Sequence, residues 1–135
     1  METILVVDDE PELCAVAQEM LEAGGYTVLA VTHPSEALRV AEQHSGPIHL
    51  LLSDVIMPEM HGPEVAARFR SLRPDSKILF MSAYTSEKFT DEGILPLGSS
   101  LISKPFTGHE LRVKVREVLD RRSPFTRPKL SPGSS

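Results

Sequence analysis

Residues 50–62 read Leu-Leu-Leu-Ser-Asp-Val-Ile-Met-Pro-Glu-Met-His-Gly. Three leucines run together, the chain turns polar at Ser53-Asp54, and a proline and a glycine follow. A short unbroken apolar run that ends in turn residues is the pattern of a strand covered on both faces. The same pattern recurs on either side. Ile4–Val7 ends in Asp8-Asp9, Ile78–Met81 ends at Ser82, and Leu101-Ile102 is soon followed by Lys104. Thr27–Val31 supplies one more strand. Amphipathic stretches lie between. Leu13, Val16, Ala17, Met20 and Leu21 follow helical spacing as far as the Gly24-Gly25 stop. Pro34 to about His44 turns Ala37, Leu38 and Ala41 inward, with the proline in the first turn. Gly62 to about Leu72 places Val65, Phe69 and Leu72 on one face. Thr107 opens a last helix with a capping box to Glu110, and Leu111, Val115, Val118 and Leu119 form its apolar stripe. This β-α repetition predicts an α/β domain: a doubly wound parallel sheet of five strands with helices on both faces. Sites in such sheets lie beyond the carboxyl ends of the strands, near the switch in strand order.

The bulk properties fit one soluble domain. A length of 135 residues is enough for a full core without staples. A net charge of −5 leaves no basic footprint for nucleic acid. The single cysteine, Cys14, excludes an internal disulfide and reads as a small core residue of the first helix. It is compatible with a reducing cytoplasm, and no signal-like or membrane-spanning apolar run is seen, so a cytoplasmic location without membrane contact is expected. Two regions give a weaker signal. From Ser86 to Ser100, Gly93, Pro96 and Gly98 interrupt the helical pattern, so only a short helix near 86–90 is expected. Residues 123–135 are rich in Pro and Ser and read as a disordered tail or linker, which puts the domain at 1–122.

The strand ends carry the chemistry. Asp8 and Asp9 follow the first strand, Asp54 ends the third, Ser82 ends the fourth, and Lys104 follows the fifth. In a doubly wound sheet these ends share one edge, so the five side chains converge. Two carboxylates ~4 Å apart repel by about 4 kcal/mol at an effective dielectric near 20. Lys104 offsets part of that repulsion, and a divalent cation is needed for the rest. Hard carboxylate oxygens with no Cys or His among them favour Mg²⁺, or Mn²⁺, over zinc. A carboxylate is also a competent nucleophile for phosphoryl groups. Phosphoryl transfer depends on positioning and charge neutralisation, and this residue set supplies both. The five histidines, at 33, 44, 49, 61 and 109, show no metal-ligand spacing and read as solvated or packing residues.

Val-Val-Asp-Asp-Glu at 6–10, Asp-Val-Ile-Met-Pro-Glu-Met-His-Gly at 54–62, Met-Ser-Ala-Tyr at 81–84 and Lys-Pro-Phe at 104–106 resemble the response-regulator receiver family. The match spans about residues 3–120. The resemblance implies the strand order 2-1-3-4-5, with Asp54 as phosphoacceptor. It implies that Mg²⁺ is held directly by Asp9, Asp54 and the backbone carbonyl of Ile56, with Asp8 acting largely through water. Ser82, the backbone N–H of Ala83 and the Lys104 ammonium would hold the phosphoryl oxygens, and the bond between Lys104 and Pro105 would be cis. The donor would be a histidine kinase or a histidine phosphotransfer protein.

The chain departs from the family pattern at two places. Leu101 stands where the family often has an aromatic switch residue, while Tyr84 supplies an aromatic at the rim, either as packing or as a cover that slows water attack on the phosphoryl group. The interrupted segment after Ser86 weakens a dimer face that many family members use. Together these features look more like receivers attached to hybrid sensor histidine kinases, some of which are membrane-tethered. Two other functions compete with the receiver reading. A Mg²⁺-dependent aspartyl-phosphate phosphohydrolase would put its two aspartates two residues apart, whereas Asp8 and Asp9 are adjacent. A receiver-like interaction module without phosphorylation would have no need of the complete residue set.

Overall fold

The fold, a computed structural model, describes residues 1–83, 95 and 99–121. Five strands form one sheet: β1 (Thr3–Val7), β2 (Thr27–Val31), β3 (Leu50–Asp54), β4 (Lys77–Ser82) and β5 (Leu101–Ser103). All neighbours are parallel, in the order β2-β1-β3-β4-β5. The helices described are α1 (Pro11–Ala23), α2 (Pro34–Gln43), α3 (Gly62–Leu72) and α4 (Gly108–Asp120). The expected short helix near 86–90, Tyr84, and the tail at 123–135 lie outside the described residues.

Strand parity explains why the strands lack polar alternation. Leu5, Val7, Leu51, Ile78 and Phe80 pack with Ala37, Ala41, Val65 and Phe69, which is the α2–α3 side. Ile4, Val6, Leu50, Leu52, Leu79 and Met81 pack with Cys14, Ala17, Leu21, Leu111 and Val115, which is the α1–α4 side. Successive side chains point to opposite faces, so a sheet covered twice needs apolar residues at every position. The edge strand β2 has only one neighbour and stays half-buried or exposed throughout.

Local chemistry sets the helix boundaries. Prolines occupy the first turns of α1, α2 and α3, where a missing N–H costs nothing. The expected capping box of α4 is formed in both directions: the Glu110 amide donates to the Thr107 hydroxyl at 3.0 Å, and the Thr107 amide donates to the Glu110 carboxylate at 2.8 Å. After α3, the Arg73 guanidinium donates to the carbonyls of Ala41 (2.8 Å), His44 (2.6 Å) and Gly46 (2.6 Å). One side chain thereby satisfies carbonyls at the end of α2 and one in the turn that follows it.

The apolar stripes need a correction at three positions. Leu13 and Val16 of α1 are 40% and 42% exposed, and Leu72 of α3 is 40% exposed. Cys14, Ala17 and Leu21 face the sheet from α1, and Val65, Ala66 and Phe69 do so from α3. The buried face of each helix is thus narrower than its apolar stripe, and Leu13, Val16 and Leu72 lie on the flanks.

Candidate metal and phosphoryl site at the strand ends

Register brings the expected residues together. Val7 pairs with Ser53 across β1–β3, so Asp8 and Asp54 leave the sheet at the same level. Asp54 pairs with Met81, and Ser82 with Ser103, which puts Lys104 just beyond the edge. The switch in strand order falls between β1 and β3, so the crevice opens where the aspartates stand.

Asp8, Asp9 and Asp54 each offer a carboxylate oxygen, and these oxygens all lie within 4.8 Å of one another. Asp8 is fully buried. Its Oδ1 accepts the Glu10 amide at 3.0 Å, and its Oδ2 meets the Lys104 ammonium at 3.0 Å. Lys104 Nζ is also 3.6 Å from Asp54 Oδ1. That same Asp54 oxygen accepts the Val55 amide at 3.1 Å. Ser82 is buried at the end of β4, and Ala83 beside it is exposed. Ser82 also accepts the Lys104 amide on its carbonyl at 2.7 Å, which locks the β5 exit against β4. The bond between Lys104 and Pro105 is cis, as expected.

The electrostatics are unbalanced. Burial pushes the Asp54 carboxyl from 3.8 up to about 6, and Asp8 and Asp9 push the same way. Lys104 and the Val55 amide pull it down without overcoming that. Burial works against the Lys104 charge, yet the neighbouring Asp54 and Asp8 hold its pKa above the ordinary lysine value. Among the described residues, three acidic groups thus cluster beside one ammonium, which pairs with Asp8 and Asp54, and burial dominates the shift on Asp54. An all-oxygen donor set with uncompensated negative charge fits a hard divalent cation such as Mg²⁺.

The loop after β3 is closely packed. The Gly62 amide donates to the Val55 carbonyl at 2.7 Å. A Cβ at Gly62 would collide with the Asp54 carbonyl oxygen and come within 3.1 Å of the Val55 Cα. The Met57 amide meets His61 Nδ1 at 3.3 Å, and the Ser35 amide donates to Glu59 at 2.9 Å. The Ile56 side chain faces outward, 42% exposed. Leu101 is half-buried and packs on the α2–α3 side of the core. The His61 contact had no sign in the sequence, because a ring nitrogen that accepts a backbone amide leaves no spacing signature.

A family model described as "Response regulator receiver domain" matches residues 4–116. The chain belongs to the response regulator receiver family. Receiver domains serve two-component signalling, and the phosphoacceptor role is the standard function of the family. Family members generally bind Mg²⁺ through acidic residues, and this receiver has the acidic cluster. It is 32% identical over 120 residues to "Sensor kinase CckA" of Brucella abortus (strain 2308), covering 89% of this chain and 13% of that protein. It is 29% identical over 119 residues to "Response regulator receiver protein CpdR" of the same strain, covering 88% of this chain and 98% of that one. The receiver domain of the hybrid histidine kinase CckA superposes with a TM-score of 0.73 at 34% identity, covering 87% of this chain and 98% of that one. The expected likeness to hybrid-kinase receivers is thus borne out, with free-standing receivers also similar. No described helix is long and apolar enough to cross a membrane.

Proposed function

We propose that Asp54 is the phosphoacceptor of this receiver and takes its phosphoryl group from a phosphohistidine on a histidine kinase or phosphotransfer protein. The supporting observation is the placement of Asp54. It is a buried carboxylate within 3.6 Å of the ammonium that it shares with Asp8, and its oxygens lie in the three-aspartate cluster. An Asp54 oxygen attacks phosphorus, the P–N bond breaks, and its electron pair returns to the imidazole, which leaves neutral when its other nitrogen holds a proton. Asp54 must be ionised to attack, and near neutral pH most of it is. Asp9, Asp54 and the Ile56 carbonyl would hold Mg²⁺, which when bound supplies positive charge beside the transferring phosphoryl oxygens. Both carboxylate oxygens of Asp8 already accept hydrogen bonds, which favours a water-mediated part for it. Lys104, the Ser82 hydroxyl and the Ala83 amide would hold the remaining oxygens. The new group adds roughly −1.5 to −2 of charge beside Lys104 and shifts partner binding through the β4 and β5 exits.

The donor would approach over the α1 side. Leu13 and Val16 are exposed there, and with Met20, Pro105 and Phe106 they line an apolar groove that begins at Asp8 and Lys104. A helix bearing the phosphohistidine packs into that groove and presents phosphorus to Asp54. Transfer from a labelled phosphohistidine donor tests the reading. Label should move to the wild-type chain and not to Asp54→Asn. In Leu13→Ser/Val16→Ser, phosphotransfer should slow roughly 10-fold or more while labelling by acetyl phosphate stays unchanged. Label on Asp54→Asn would overturn the assignment of the acceptor, and an unchanged transfer rate would overturn the docking groove.

A further inference from the structure

We propose that His61 is a positioning residue for the divalent cation, acting through the peptide that joins Ile56 to Met57. This rests on the reading above, in which the Ile56 carbonyl is a cation ligand. His61 Nδ1 lies 3.3 Å from the Met57 amide nitrogen, so the ring accepts that N–H and carries its own proton on Nε2. The Met57 N–H and the Ile56 C=O belong to one planar unit. Lys104–Pro105 is the cis bond among the described residues, so the 56–57 peptide is trans and its N–H and C=O point in opposite directions. Holding the N–H on the ring therefore holds the carbonyl away from it.

Among the described residues, the histidine is the group bonded to this peptide. His61 is the N-cap residue of α3, yet its side chain makes no bond to the helix amides. Its ring turns back to the loop instead. The neighbouring anchors act on other units: Gly62 on the Val55 carbonyl, the Val55 amide on Asp54 and Met81, and Glu59 on Ser35. Met57 is buried and gives the loop a fixed pivot. Donation from the Met57 N–H also polarises the peptide and makes its carbonyl oxygen a stronger hard ligand. Groups one step removed from a metal commonly tune its affinity in this way.

The test measures Mg²⁺ binding by calorimetry, at one pH and without a phosphodonor, for wild type, His61→Ala, His61→Asn and Asp9→Asn. Asn places a side-chain oxygen close to where Nδ1 lies. His61→Ala should weaken binding roughly 10-fold or more, and His61→Asn should remain within about 3-fold of wild type. Wild-type affinity in His61→Ala, or equal weakening in both His61 variants, would overturn the proposal. Should His61→Ala not fold, the nitrogen shifts of the His61 ring in metal-free wild type decide. An Nε2–H ring with an unprotonated Nδ1 supports the role, and an Nδ1–H ring ends it. Wild-type Mg²⁺ binding that Asp9→Asn leaves untouched would instead overturn the cation site itself, a result distinct from any of the His61 outcomes.

Discussion

Asp54 is held in tension between burial and its neighbours, and this has a measurable consequence. Its carboxyl binds a proton more tightly in the folded, metal-free domain (about 6) than at the ordinary value of 3.8. Its contribution to stability is therefore fully present below the ordinary value and is lost as pH rises through about 6. At pH 7 the buried charge costs at most about 3 kcal/mol. Asp54→Asn should then raise the melting temperature of the metal-free domain at pH 7, with the gain shrinking towards pH 5 and shrinking again when Mg²⁺ is added to both proteins. Thermal unfolding across pH checks this, and a gain that grows on acidification would contradict it. The aspartates, Ser82 and Lys104 were legible in the sequence because polar side chains directly after apolar strands stand out. His61 was not: among five histidines without ligand spacing, only coordinates reveal which ring meets a backbone amide.

At the scale of elements, the loop from β3 to α3 is tightly constrained. Gly62→Ala would drive a methyl into the Asp54 backbone, so a loss of about 1–3 kcal/mol is expected. The same collision displaces the Asp54 main chain, so Mg²⁺ affinity should fall as well. Denaturant unfolding and calorimetry measure the two effects, and a Gly62→Ala chain with wild-type values in both would show that the close approach has no consequence. The boundaries of α2, α3 and β2 follow the sequence closely because prolines, glycines and apolar runs mark them locally. The exposure of Leu13, Val16 and Leu72 was not legible. Periodicity gives the centre of an apolar stripe, and its width depends on how near the helix sits to the sheet. On α1, Cys14 and Ala17 are buried against the sheet, and the flanking Leu13 and Val16 stay outside. On α1 they border the candidate phosphoryl site, and these exposed residues line the proposed docking surface.

For the whole molecule, two cores on opposite faces of one sheet hold the strand ends level, and that levelness makes the site. The order β2-β1-β3-β4-β5 was legible through the family resemblance, since parallel register depends on contacts distant in sequence. The part shared with both a sensor kinase and a receiver protein is the domain itself, which makes up 13% of the first and 98% of the second. The central claim is that Asp54 accepts the phosphoryl group with the help of a divalent cation. Intact-mass measurement after incubation with acetyl phosphate tests it most directly. With Mg²⁺ the wild-type chain should gain one phosphoryl group, and it should gain none with excess chelator or after Asp54→Asn. An unmodified wild-type chain, or a modified Asp54→Asn chain, would contradict it.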